Sequence, residues 1–552
     1  MKLKKQLEQL LPNIETLAKE QKFEAELKLA IKSNQQFKLR LPLVGAFSSG
    51  KSTLLNTLLD EKLLSVEVTP ETCLPTEISY SEVEFIHLMT ENQKVAELTR
   101  AQLKDQDYLL SLQKSKQLES AKVWLEIGLS HPVLERHKDL VLVDMPGWES
   151  GMSEHSLAID NYIQSSGAYC IVIQATDGTI RQSIQQALTE LKLFNKPIVL
   201  VITKADKINS DELPSVIKNI TKAVIQYLGL SPLAVVTTTA RKKHIDGFEE
   251  SLTKVVEQSD IIYRNMVLTQ FYDLFERMEK RLNILLNEEN LTVDQVQSAC
   301  DLIPEELAEL KNQLKEVEQQ VDQIIPLCVE LTKENLVNNL KSQLSSLVTT
   351  MRNNGNIQNQ VDNALRNAYL KTVEQDFKPK IKRQLTSLQT SGDIMPTNLN
   401  IENPISGKEH SKGTDYTSQL LSAFIAKIAW QFPVLKPFAP FIFAIASIFG
   451  SKLDQERQRE QENEYYKQHI LTTVIPQVMT QLQPVIQSSF NDMVLRVKQE
   501  ITFETERNAA DKQQALVELQ KELSEAKKQD SIQKLKYKES LNQLTEIRTK
   551  LA

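Results

Sequence analysis

Leu39-Arg40-Leu41-Pro42-Leu43-Val44-Gly45-Ala46-Phe47-Ser48-Ser49-Gly50-Lys51-Ser52-Thr53-Leu54-Leu55-Asn56 decides the fold. An apolar run leads into a glycine-bounded loop, and a helical run to Leu59 follows, so the stretch reads strand, loop, helix. The two glycines let the backbone take tight, left-handed conformations, which turn successive N–H groups inward at a helix N-terminus. Such a loop cradles phosphates. Gly45, Ser48, Ser49, Gly50 and Thr53 form or border the cradle, Lys51 is placed to neutralise β- and γ-phosphates, and the Ser52 hydroxyl to ligate Mg²⁺.

Two later motifs select the nucleotide. Leu140-Val141-Leu142-Val143 is a short apolar run of the kind that forms a buried parallel strand, and it ends in Asp144-Met145-Pro146-Gly147. Asp144 can hold Mg²⁺ through water, and the Gly147 N–H can meet the γ-phosphate. Ile198-Val199-Leu200-Val201-Ile202 runs into Thr203-Lys204-Ala205-Asp206. The Asp206 carboxylate can accept two hydrogen bonds from N1–H and the 2-amino group of guanine, a donor pair that adenine lacks. Lys204 would lie along the base. A last base contact, a backbone N–H to guanine O6, is expected after Ala234-Val235-Val236, at Thr239 or Ala240.

Between these motifs, Thr69-Pro70-Glu71-Thr72-Cys73-Leu74-Pro75-Thr76-Glu77-Ile78 reads as a switch loop entering a strand. Thr72 is the residue expected to reach Mg²⁺ and the γ-phosphate in the triphosphate state, with Thr69 and Thr76 as alternatives.

Together, Gly-x-x-Ser-Ser-Gly-Lys-Ser-Thr-Leu-Leu-Asn, Thr-x-x-Pro-Thr-Glu-Ile, Asp-Met-Pro-Gly and Thr-Lys-Ala-Asp, followed by a long helical region, resemble the bacterial dynamin-like GTPases, relatives of dynamins and mitofusins. The motifs cover about residues 39 to 250; beyond them the resemblance is one of architecture. It implies an α/β P-loop GTPase domain with an elongated all-α trunk, Mg²⁺-dependent hydrolysis of GTP to GDP, and dimerisation through the nucleotide faces. It also implies membrane binding through a tip. The partners it implies are GTP or GDP, an anionic lipid membrane, and a second copy or a second dynamin-like subunit. One departure stands out. Dynamins place Gln where this chain has Phe47, and Ras-like enzymes place Gln where it has Trp148. Hydrolysis must then draw on Ser48, on the switch backbone or on a partner, and a slow basal rate is expected. A GTP-gated scaffold or tether that hydrolyses little and acts with a helical partner is the alternative.

Charge and composition narrow the class. The net charge of −7 over 552 residues argues against a general nucleic-acid binder. Four scattered cysteines without metal spacing, and an N-terminus that reads as an amphipathic helix rather than a signal peptide, lead to the expectation of a cytoplasmic protein peripherally associated with membrane. The seven histidines form no metal or nucleophile pattern. Arg181 is a polar candidate on the nucleotide side, able to act across a dimer.

Beyond the motifs, helical periodicity organises the chain. The expected divisions are an N-terminal helix (1–36) packing on the trunk, a GTPase domain (37–258), a helical neck and trunk (259–390) broken near Pro304 and Pro326, a mobile loop and apolar tip (391–452), and returning helices (453–552). As one helix, the Gly- and Pro-free run from Val485 to Ala552 would extend about 100 Å. Residues 420 to 450 interrupt the polar trunk with two apolar arms of about a dozen residues each, short of the roughly 20 needed to span a bilayer. Phe424, Trp430, Phe432, Phe438, Phe441, Phe443 and Phe449 with Lys427, Lys436 and Lys452 suit part-way insertion among anionic headgroups. A buried helical hairpin or oligomer contact is the other reading of that patch.

Overall fold

The computed structural model describes residues 1–46, 48–65, 74–90, 93–115, 123–146, 162, 165–181, 184–185, 188, 191–192, 196–239, 244–286, 293–352, 357–377, 379–381, 459–525 and 530–551. The chain divides into two compact units, residues 1–4 with 34–266 and residues 5–33 with 267–552.

The first unit is built on a nine-stranded mixed sheet among the described residues. Its strands are β1 (Leu39–Val44), β2 (Thr76–Tyr80), β3 (Phe85–Thr90), β4 (Lys94–Glu97), β5 (Val123–Leu129), β6 (Leu140–Asp144), β7 (Tyr169–Gln174), β8 (Ile198–Thr203) and β9 (Ala234–Thr237), in the order β4-β3-β5-β2-β6-β1-β7-β8-β9. β6, β1, β7, β8 and β9 run parallel. They are the near-continuous apolar runs, because helices cover both faces of a parallel sheet; all six residues of β8 are buried. β2 pairs antiparallel with β6 and parallel with β5, after which β3 and β4 each pair antiparallel with the strand before them. Register aligns the ends that matter: Leu43 stands beside Asp144, Gln174 beside Thr203, and Ile202 beside Thr237. The polar residues that terminate these strands therefore share the carboxyl edge of the sheet, where open α/β sheets hold ligands.

One charged cluster lies within this sheet. Glu77 of β2 has a side chain only 1% exposed and accepts from Arg40 Nε at 2.7 Å, Lys38 Nζ at 3.1 Å and the Tyr162 hydroxyl at 3.2 Å. Burial pushes its pKa up, but Arg40 and then Lys38 outweigh burial and hold it below the ordinary carboxylate range.

The second unit is helical. Its helices include α1 (Lys2–Glu20) from Lys5 onward, α2 (Glu24–Gln36) to Ser33, and α3 (Thr269–Leu286), α4 (Val293–Ser342), α5 (Leu344–Arg352), α6 (Gln358–Thr372), α7 (Arg459–His469), α8 (Ile475–Glu525) and α9 (Asp530–Leu551). The N-terminal segment, expected as one helix, is two. Phe23 N–H bonds Ala18 O and Lys22 N–H bonds Lys19 O around a left-handed Lys22 (φ 64°), a Schellman closure with lysine where glycine is usual.

Arg277 of α3, 6% exposed, joins three helices: it donates to both Asp511 oxygens (2.6 and 3.0 Å) on α8 and to Glu26 (3.2 Å) on α2, and its guanidinium lies 4.8 Å from the centre of the Phe23 ring. Further pairs are Asp273 with Arg507 and Arg281 with Glu518, so α3 and α8 run parallel. On α9, Arg548 meets Glu279 and the Leu551 carbonyl accepts from Tyr272, so α9 runs antiparallel to α3. The C-terminal run is therefore not one 100 Å helix but doubles back, with Leu516, Leu544 and Leu551 buried.

The expected breaks at Pro304 and Pro326 are also absent. α4 runs through both, because each proline lies on its exposed side. For Pro326 the carbonyl released four residues back belongs to the exposed Asp322 and faces water, and packing along α8 offsets the remaining cost. A core of Tyr369, Phe377 and Phe490, with ring centroids 4.9 and 5.5 Å apart, closes this part. The apolar segment read as a tip lies outside the described residues, and no helix among the described residues is long and apolar enough to cross a membrane.

Replacing Glu77 by Leu strands Arg40 beside a buried apolar side chain and is expected to cost about 3 kcal/mol, the penalty for breaking a buried ion pair. The contribution is complete above the unfolded carboxylate pKa and is lost as pH falls through the lower, folded one. Urea unfolding at neutral and acid pH checks this: the gap between wild type and Glu77→Leu narrows in acid.

Candidate functional site

The loop from Gly45 to Ser52 joins β1 to the helix Lys51–Leu58. Its glycines are required by geometry. A Cβ on Gly45 would lie 2.3 Å from the Val172 carbonyl oxygen, and Gly50 takes φ 97° as the residue preceding the helix. Ser48 is also left-handed at φ 58°. The loop carbonyls of Gly45, Ala46, Ser48 and Ser49 are each bound by a side chain. Lys51 Nζ donates to Gly45 O and Ala46 O, both at 3.1 Å. Thr203 Oγ1 donates to Ser49 O at 2.6 Å, and Lys204 Nζ donates to Ser48 O at 2.7 Å. The end of β8 thus holds the loop that follows β1.

Ser52 Oγ donates to Asp144 Oδ2 at 2.6 Å. The other carboxylate oxygen, Asp144 Oδ1, and the Ser49 hydroxyl are buried without a protein partner among the described residues. Burial pushes the Asp144 pKa up, against the Ser52 hydrogen bond and the Lys51 charge. A hydroxyl and an orphaned carboxylate oxygen beside a lysine are hard oxygen donors suited to Mg²⁺, and a cation there would relieve the burial cost of the carboxylate.

On the other side of the loop, Lys204 takes a left-handed backbone (φ 56°), which throws its side chain back across the loop. Asp206 is exposed in the short 3₁₀ turn Ala205–Lys207. Ala205 N–H reaches Thr238 O at 3.4 Å, and Thr239 exchanges hydrogen bonds with His244 at 3.0 and 3.2 Å, so the segment after β9 is tied to the Lys204–Asp206 turn. Gly45, Ser48, Ser49, Gly50, Lys51, Ser52, Thr53, Asp144, Thr203, Lys204, Asp206 and Thr239 all lie on this carboxyl edge. Phe47, Thr72, Gly147, Trp148 and Ala240 lie outside the described residues.

Two residues that the motifs do not single out complete the geometry. Gln174, the last residue of β7, accepts from Lys204 Nζ at 2.7 Å and donates to Asp177 Oδ1 at 2.7 Å. Asp177 is held in turn by Arg181 at 2.9 Å through two nitrogens, so Arg181 has a partner within its own chain. The signal available in sequence was a polar residue ending the wholly apolar Tyr169–Ile173 run.

The dynamin family profile matches residues 41–205, from β1 through the Thr203-Lys204-Ala205 end of β8. Over that stretch the chain is similar to the dynamin family. A dynamin-like protein 2 from Campylobacter jejuni is 24% identical over 284 residues, 51% of this chain and 44% of its own length. A bacterial dynamin-like protein from Nostoc punctiforme is 26% identical over 156 residues, 27% of this chain and 22% of its own. The chain thus spans less than half the length of these curated relatives. Among solved structures, a bacterial dynamin pair described as sensing and tethering membranes at long range is 16% identical, covering 99% of this chain and 81% of its own at a TM-score of 0.34. The bacterial dynamin GTPase LeoA from ETEC is 13% identical, covering 100% and 97%, at a TM-score of 0.33.

The raised Asp144 pKa has a testable consequence. In the nucleotide-free protein, the folded state holds that proton more tightly than the unfolded chain, so stability falls as pH rises through the folded pKa. Asp144→Asn removes this step. In Mg²⁺-free buffer the thermal midpoint of the variant should gain on wild type from acid to neutral pH, while Mg²⁺ with GTP stabilises wild type more; parallel pH profiles would contradict the assignment.

Proposed function

We propose that the chain is a dynamin-like GTPase that hydrolyses GTP and couples the nucleotide cycle to G-domain dimerisation and rearrangement of its helical unit. The observation that carries this is the Ser52–Asp144 pair with its orphaned oxygen, beside Lys51 on a loop held from outside by Thr203 and Lys204. In this reading the inward N–H groups of residues 45 to 53 bind the phosphates, and Lys51 exchanges the loop carbonyls for β- and γ-phosphate oxygens. Ser52 and Thr72 would hold Mg²⁺ directly and Asp144 through water, and the ion would supply charge neutralisation at the phosphates. Asp206 accepts from the guanine edge, Lys204 lies along the base, and Thr239 or Ala240 offers an N–H to O6. Thr72 and Gly147 report the γ-phosphate. Residues 420 to 450 contact anionic membrane through their aromatic side chains.

Phe47 and Trp148 favour a second reading, a GTP-gated tether with little hydrolysis that acts with a helical partner, since neither residue offers an amide to position water. Turnover of GTP with and without anionic liposomes, with co-sedimentation in the same samples, separates the two. The GTPase reading predicts slow basal turnover, stimulation by lipid with pelleting, and a loss of about 10²- to 10³-fold in Lys51→Ala, as expected when a group that stabilises developing phosphate charge is removed. Turnover at the Lys51→Ala level, with no pelleting, would overturn it in favour of the tether.

A further inference from the structure

Four side chains form a polar chain that starts at the glycine loop and runs along the ends of β8 and β7. Lys204 Nζ donates both to Ser48 O and to Gln174 Oε1, each at 2.7 Å. Gln174 Nε2 donates to Asp177 Oδ1 at 2.7 Å. Arg181 closes the chain with a forked contact to both Asp177 oxygens at 2.9 Å. The chemistry permits one orientation of the Gln174 amide: an ammonium only donates and a carboxylate only accepts, so the amide oxygen must face Lys204 and the amide nitrogen Asp177. Arg181 orients Asp177, Asp177 orients the amide, and the amide oxygen draws the ammonium of Lys204 to one place. Each contact involves a charged group, and charge-assisted hydrogen bonds are the stronger class.

We propose that Gln174 is a positioning residue for guanine-nucleotide binding, fixing Lys204 between the base and the glycine loop, with Asp177 and Arg181 setting its amide. The inference rests on the reading that Lys204 and Asp206 face a guanine. Its effect falls on the base side, because Thr203 and Lys51 still hold the glycine loop, and away from Ser52 and Asp144. Loss of Gln174 therefore weakens GTP and GDP alike and narrows the preference for guanine over adenine, instead of lowering the rate of the bound complex.

The test is equilibrium binding of fluorescent GTP, GDP and ATP analogues to the full chain, with thermal midpoints alongside. Variants are Gln174→Leu, Gln174→Glu and the double variant Gln174→Glu/Asp177→Asn. Gln174→Leu should weaken both guanine nucleotides by roughly tenfold, the worth of one hydrogen bond to a charged group, with ATP affinity unchanged. Gln174→Glu alone sets two carboxylates against each other. The double variant restores a donor facing an acceptor, so its affinity should recover beyond the sum of the single changes, a recovery that a merely structural role would not give. A selective wild type whose Gln174→Leu variant binds GTP within twofold of it, or a double variant without recovery, overturns the inference alone. A wild type that binds GTP and ATP equally overturns the guanine reading beneath it.

Discussion

The hold of β8 on the glycine loop is the constraint on which the site depends. The loop takes a backbone that the chain does not adopt unaided: Gly50 and Ser48 are left-handed and Gly45 has no room for a Cβ. Thr203 and Lys204 bind the displaced carbonyls of Ser49 and Ser48, and Lys51 binds those of Gly45 and Ala46. Thr203, which ends β8, and Lys204, which follows it, also open the turn that carries Asp206. The glycine loop and the Lys204–Asp206 turn are thereby held as one piece, which under the proposed function would present phosphate and base contacts together.

Two buried carboxylates show how one sheet serves stability and chemistry through opposite electrostatics. Glu77 sits among Arg40, Lys38 and Tyr162, and its pKa is held down. Asp144 has a hydroxyl and a nearby lysine, an oxygen without a partner, and a pKa pushed up by burial. The first is a satisfied ion cluster. The second is an electrostatic cost that a cation would remove, and such unpaid burial marks functional sites more often than structural ones. In the helical unit Arg277 likewise meets carboxylates, on α2 and α8, and joins those helices to α3, with its Nη1 left without a partner among the described residues.

Much of the first unit was legible because its parallel strands are long apolar runs that end abruptly in polar residues. Each of the runs at Leu39, Leu140, Ile198 and Ala234 is a strand, and the residues that end them converge. Gln174 was not legible, because its contacts depend on register beside Thr203 and on a side chain three residues away, neither of which a linear motif encodes. The helical unit was legible in class and less so in detail. Periodicity shows that a segment is helical but not where it turns back, so the antiparallel return of α9 was hidden in a run without Gly or Pro. Proline was misleading in the opposite sense, because on an exposed helix face its lost hydrogen bond leaves a carbonyl to water.

The most direct test of the account is calorimetric binding of GTP and ATP, with Mg²⁺, to wild type and to Thr203→Val, which removes the hydroxyl that holds Ser49 while keeping the shape of the side chain. The account predicts a strong preference of wild type for GTP and, in the variant, weaker binding of both nucleotides, because the loop that both require loses its anchor. Wild-type affinities in Thr203→Val would contradict the claim that β8 holds the glycine loop in its binding form.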